Sequence, residues 1–108
     1  EILRKQDKCD EATPLLRDAL AAFRSQLGDQ SKQTMYTMYY LADCLITIGQ
    51  YEEAEPLAIE CHALNVAEFG DAHQETYDAV TLMVSLRDGQ GKPDEAQRWR
   101  DLLPEDTE

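Results

Sequence analysis

The sequence predicts an all-α protein built from antiparallel helix-turn-helix units repeated in tandem. The first observation behind this is a block that recurs 42 positions on. Leu27-Gly28-Asp29, Thr34, Leu41, Gly49, Glu53-Ala54 and Leu57 correspond to Phe69-Gly70-Asp71, Thr76, Met83, Gly91, Glu95-Ala96 and Trp99. One period upstream, Asp10-Glu11-Ala12, Pro14 and Leu15 correspond to Glu52-Glu53-Ala54, Pro56 and Leu57. A fixed period of this length marks a solenoid, in which one supersecondary unit stacks on the next. The second observation is that apolar residues between the breaks recur at helical spacing, with no alternating pattern that would suggest a strand. The third is that the connections are only two to five residues long, which forces antiparallel neighbours.

The elements follow in order. Glu1 to Gln6 read as the tail of a helix whose beginning is absent. Residues 9–26 read as the next helix, with Ala12, Leu15, Leu16, Ala19, Leu20 and Phe23 as its apolar stripe. Gly28-Asp29 breaks it, and Ser31 can cap its successor by accepting from a first-turn amide. That successor runs to about Ile48, with Met35, Met38, Leu41, Ala42 and Leu45 on one face. Gly49-Gln50 closes it, since glycine suits the left-handed position past a helix end. Residues 51–68 form a helix through Ala54, Leu57, Ala58, Cys61 and Leu64, and Gly70-Asp71 breaks again. The last pair spans about 73–89 and 93–103. Pro93 sits in the first turn of its helix, where a missing N–H costs nothing. Pro104 and the tail Glu105-Asp106-Thr107-Glu108 end the array. Ala12, Ala54 and Ala96 are small enough to let paired helices approach closely.

Composition narrows the function. The 108 residues suffice for one array, and 43% of them are hydrophobic, so the chain folds. With 22 acidic and 10 basic side chains the formal charge is −12. From Gln33 to Leu86 there is no Lys or Arg, while Asp43, Glu52, Glu53, Glu55, Glu60, Glu68, Asp71, Glu75 and Asp78 all fall there. That argues against a nucleic-acid or anionic-membrane partner and for a neutral or basic protein. Cys9, Cys44 and Cys61 are odd in number and lack CxxC spacing, which points away from a disulfide framework and toward a reducing, cytoplasmic setting. No apolar run approaches a membrane span.

These residues resemble the tetratricopeptide repeat, in the 42-residue form of kinesin light chains and their relatives. The run Gly49-Gln50-Tyr51-Glu52-Glu53-Ala54-Glu55-Pro56-Leu57 carries the resemblance most specifically. Leu27-Gly28-Asp29, Thr34-Met35, Leu41-Ala42, Phe69-Gly70-Asp71-Ala72-His73 and Gly91-Lys92-Pro93-Asp94-Glu95-Ala96 extend it over essentially the whole chain. It implies a right-handed superhelix over residues 1–108: a partial first repeat at 1–26, a full repeat at 27–68, and a last repeat with a C-terminal capping helix at 69–108. It also implies that the first helix of each unit lines a concave groove holding a peptide or partner helix.

Carried over by position, the groove falls on Tyr36, Tyr39, Asp43, Ile46 and Thr47 in the middle unit and on Asp78, Thr81, Ser85 and Asp88 in the last. The sequence departs from kinesin light chains at the asparagine that clasps peptide backbone, because Tyr40 and Leu82 stand in its place.

The expected function is a non-catalytic protein-interaction and scaffolding module. The candidate partner-binding residues are Tyr36, Tyr39, Asp43, Thr47, Asp78 and Ser85. Tyrosines bring rigid contact area with a hydroxyl, and aspartates steer basic ligands. Tyr40 is expected to pack between units. No catalytic or metal-ligand spacing occurs and no cofactor is expected. Cys61 is read as a small core residue, and its neighbour His62 points about 100° away along a helix. His73 is read as a helix-starting turn residue and Trp99 as a core anchor. Arg87 occupies an apolar position and is expected to pair with an acid or to snorkel. The alternative is end-to-end stacking into a homo-oligomer through an edge exposing Ile2, Leu3, Leu16 and Leu20.

Overall fold

The computed structural model describes residues 2–104, with side chains from residue 5 onward. Five helices account for these residues: α1 (Ile2–Leu27), α2 (Lys32–Thr47), α3 (Tyr51–Phe69), α4 (Gln74–Gly89) and α5 (Pro93–Arg100). Each packs on its neighbour in sequence, and α2 also touches α4 across the intervening hairpin. This is an all-α helical repeat. The acidic tail lies outside the described residues, as do the side chains of Ile2 and Leu3.

The turns come from backbone chemistry. Gly28, Gly49, Gly70 and Gly91 lie at equal spacing and take φ of +89°, +83°, +87° and +76°. A Cβ in that region is strained, so each glycine ends one helix and lets the next return antiparallel. Asp7 stands one period before Gly49, where no glycine is available to take the left-handed conformation. The helical backbone therefore continues, and the expected break between residues 6 and 9 is absent. The stretch 2–27 is one helix.

Helix starts follow the expected caps. Ser31 Oγ accepts from the Thr34 amide at 3.1 Å. His73 Nδ1 accepts from the Glu75 amide at 3.1 Å, and its ring stacks on Phe69 with centroids 4.4 Å apart. Thr76 Oγ1 donates to the Gly70 carbonyl at 2.6 Å and ties the turn to α4. The last helix ends at Arg100, before the expected residue 103.

One core runs through the stack. Leu20, Met38, Leu41, Ala42, Leu45, Ala54, Ala58, Cys61, Ala79, Leu82, Met83 and Leu86 form it, and Val80, Val84 and Ala96 form a smaller cluster beneath α5. Ala54 and Ala96 are fully buried, as close helix approach requires. The stripe of α1 holds at Ala12, Leu16, Ala19, Leu20 and Phe23, which are buried or half-buried, and buried Cys9 and Thr13 join it, whereas Leu15 is 70% exposed. Leu16 and Leu20, expected on an open edge, pack into the core because α2 returns over that face. Those two side chains offer no stacking surface.

The cysteine expectation is overturned. Cys9 of α1 and Cys44 of α2 form a disulfide, with Cα atoms 5.0 Å apart. Residues so distant in sequence share no spacing motif, and only the helix pairing brings them within bridging range. Cys61 remains a free, buried thiol. Burial pushes it up to about 12, far from a nucleophile's range.

Ion pairs join α1 to α3, which do not otherwise pack, and reinforce the packing of α4 on α3 and α5. Arg17 forks onto Glu53 and Arg24 onto Glu60, linking the outer faces of α1 and α3. The hydrogen bond from Arg17 holds the Glu53 carboxyl below its ordinary value. The Arg87 side chain is only 11% exposed and meets Glu55 at 3.1 Å and Glu95 at 3.3 Å. Its Nε is near Glu95, but the N–H is not aimed at any acceptor. An arginine thus fills an apolar position because carboxylates from α3 and α5 close over it.

Trp99 packs against both clusters, with the His62 ring edge-on at 4.9 Å. Burial lowers the His62 pKa below 6.5, partly opposed by Asp71. The fold thus favours neutral imidazole. That contribution is fully present above the unfolded value and is lost as pH falls through the lower folded value. Emission of Trp99, the single tryptophan, should therefore change on acidification with a midpoint below 6.5. A fluorescence titration of His62→Gln should lose that transition. If the variant titrates like the parent, the edge-on pair is not what the signal reports.

Candidate functional site

Helices α2 and α4 run in the same direction, because α3 returns between them, and they touch each other. By helical period Tyr36, Tyr39, Tyr40, Asp43 and Thr47 share one face of α2, and Gln74, Asp78, Thr81 and Ser85 share one face of α4. At the N-terminal ends of both helices lies a cleft of about 220 Å³. Lys32, Met35, Tyr36, Tyr39, Tyr40, Asn65, Phe69, Glu75 and Asp78 line it. Asn65 and Phe69 come from the last turns of α3, which pass beneath the gap.

Of the expected site residues, the cleft brings together Tyr36, Tyr39 and Asp78. Tyr36 is 44% exposed, and its hydroxyl points at Glu75 at 3.4 Å, a long hydrogen bond from α2 to α4. The Glu75 charge, aided by slight desolvation, raises the Tyr36 pKa. Tyr39 is half-buried and meets Tyr40 edge-on, with centroids 5.3 Å apart. Burial and then the charges of Asp43 and Asp78 push the Tyr39 phenol up to about 12, so it stays neutral. Asp78 accepts from Gln74 at 2.9 Å through one carboxylate oxygen.

Asp43, Thr47 and Ser85 do not line the cleft. Asp43 pairs with Lys5 of α1 at 3.6 Å. Thr47 donates to the Asp43 carbonyl at 2.9 Å, so its hydroxyl is engaged within its own helix. Ser85 is exposed. Asp88 is held by Arg100 of α5 at 3.0 Å. Tyr40, expected between units, is instead 56% exposed on the cleft wall. The interior next to it is already filled by Met38, Leu41 and Ala42, which leaves no room for a phenol.

Sequence reasoning missed Lys32, Asn65, Phe69 and Glu75. Asn65 had a readable signal: it is a polar residue four places after Cys61, in line with Ala54, Ala58 and Cys61 on the buried face of α3. Phe69 had none, because it was assigned to the turn.

Among the described residues, no group of three or more His, Cys, Asp or Glu is placed to hold a metal ion. No described helix is long and apolar enough to cross a membrane. A family model described as "Tetratricopeptide repeat" matches residues 1–65, which spans α1, α2 and most of α3. No curated protein shows significant similarity to the chain.

Proposed function

The chain belongs to the tetratricopeptide repeat family, and on that premise we propose that it binds a peptide or helix of another protein in the trough between α2 and α4. Members of this family generally mediate protein–protein interaction and scaffolding. The 42-residue period and the Gly49–Leu57 run support the kinesin-light-chain-like form. The observation that carries the reading is the tyrosine wall of exposed Tyr36 and Tyr40 and half-buried Tyr39, which lines one cleft with Asp78. Aromatic rings left in water beside a concavity are what interface hot spots are made of.

Asp43, Thr47 and Ser85 extend the binding strip beyond the cleft. The −12 charge supports a neutral or basic protein partner rather than nucleic acid or an anionic membrane. The module acts without catalysis, by presenting surface. In the cytoplasm Cys9 and Cys44 would be kept as thiols, and the module would then work without its crosslink.

Selection of a random peptide display library against the chain tests the reading. Selected peptides should be neutral or basic. They should lose affinity for a variant carrying Asp43→Lys and Asp78→Lys by about tenfold or more, and their affinity for the parent should fall as salt rises. The variant should melt within about 8 °C of the parent, since the surface pair of Asp43 with Lys5 is worth at most about 1 kcal/mol. Acidic selected peptides, or full affinity for the variant, would overturn the electrostatic part. Peptides that map to the outer faces of α1 and α3 would overturn the groove itself.

A further inference from the structure

We propose that the cleft between the N-terminal ends of α2 and α4 is a pocket for one arginine side chain of the partner, with the guanidinium among Tyr36, Tyr39, Asp78, Glu75 and Asn65. The inference rests on the groove reading above and names what its deepest point recognises.

Size comes first. At about 220 Å³ the cleft is smaller than small-molecule pockets, which run to roughly 300–1,000 Å³, and suits a single side chain. Its walls are aromatic: Tyr36, Tyr39 and Tyr40 from α2 and Phe69 from α3. Such faces attract cations, and a planar guanidinium can also stack on them.

The polar groups are acceptors. Asn65 is only 6% exposed, yet it lines the cleft. Its Nδ2 donates to the Cys61 carbonyl at 2.8 Å and reaches Cys61 Sγ at 3.4 Å. A carbonyl can only accept, so the amide orientation is settled, and the nitrogen faces the helix. Oδ1 is left on the cleft side, with no donor among the described residues. An amide oxygen that no protein donor occupies is free to accept from a ligand in the cleft. Asp78 uses one oxygen for Gln74, and Glu75 receives only the long bond from Tyr36, so both carboxylates keep acceptor capacity. A guanidinium carries five N–H donors in a fixed fork and can serve an amide oxygen and a carboxylate together. An ammonium is compact and more strongly hydrated, and it matches this spread of acceptors less well. Lys32 stands on the rim and opposes a cation there, with two carboxylates against it.

The test uses the tripeptide acetyl-Gly-Arg-Gly-amide, titrated into the folded chain and followed by NMR at the Asn65 side-chain amide and the tyrosine rings. Saturable shifts should appear there. The lysine and citrulline versions should bind about fivefold to tenfold more weakly, since one loses the fork and the other the charge. Asp78→Asn, which keeps side-chain shape and surface position, should weaken the arginine tripeptide to a similar degree, and Lys32→Ala should tighten it. Equal shifts from the citrulline peptide, shifts centred elsewhere on the chain, or an unchanged affinity for Asp78→Asn would each overturn the pocket.

A second arm separates this idea from the groove reading. Arginines in the library-selected peptides are replaced by citrulline one at a time. If selected peptides bind the trough and tolerate every replacement, the pocket falls and the groove stands. If no peptide is selected, the groove reading fails, and the tripeptide titration still decides the pocket.

Discussion

Opening the Cys9–Cys44 disulfide should lower the thermal midpoint by more than ~10 °C. The bridge ties residues 35 apart in sequence. Closing a loop of that length in the unfolded chain removes entropy equivalent to about 3–4 kcal/mol. For a chain near 100 residues, each kcal/mol moves the midpoint by roughly 4–8 °C. Tertiary packing should hold the reduced protein folded at room temperature, because α1 and α2 also bury Leu20, Met38 and Leu41 together. Far-UV circular dichroism melts with and without a dithiol reductant measure the effect. The double variant Cys9→Ser, Cys44→Ser should melt like the reduced parent and ignore the reductant. Superimposable melts of the oxidised and reduced parent would show that the crosslink adds nothing to this fold. Cys61 does not confuse the reading, since it is free in both states.

Leu45→Ala should cost about 3 kcal/mol, within the roughly 2–5 kcal/mol that truncating buried leucines removes. Leu45 is fully buried in the cluster that joins all of α1 to α4. The cavity would open on rigid helix backbone, which collapses poorly. Against a typical stability of about 5–15 kcal/mol, that is a large share of the whole. Leu15→Ala supplies the contrast. Its side chain is 70% exposed, so its removal should change stability by less than ~0.5 kcal/mol. Urea midpoints of the two variants compare them directly. Equal losses would mean that Leu15 is not exposed as described.

The caps and turns were legible because they are local. Ser31 and His73 satisfy amides two or three residues away, and the glycines relieve strain within their own φ. No distant residue alters those energies. Core membership of α2 and α3 was legible too, since both are covered on a broad face and their apolar period says which. The stripe of α1 was harder. An outer helix is covered on a narrower face, and Leu15 and Leu20 look alike until the position of α2 is known. The trough was half legible. Tyr36, Tyr39 and Asp78 follow from position in the repeat, but Asn65 and Phe69 reach the cleft from a different helix of the same unit. Arg87 looked like a defect at an apolar place and became a paired cation only when Glu55 and Glu95 arrived from either side.

By itself, then, the order of residues determined that the chain is helical, that glycine turns stop its first four helices, and that the hairpins repeat. Each of those outcomes is set by neighbours within a turn or two, through backbone sterics, capping and apolar period. Tertiary structure alone decided that Cys9 meets Cys44 and that residues of three helices line one cleft. Those depend on how helices roll and lean against one another, a balance of packing over many side chains that no single stretch of sequence contains.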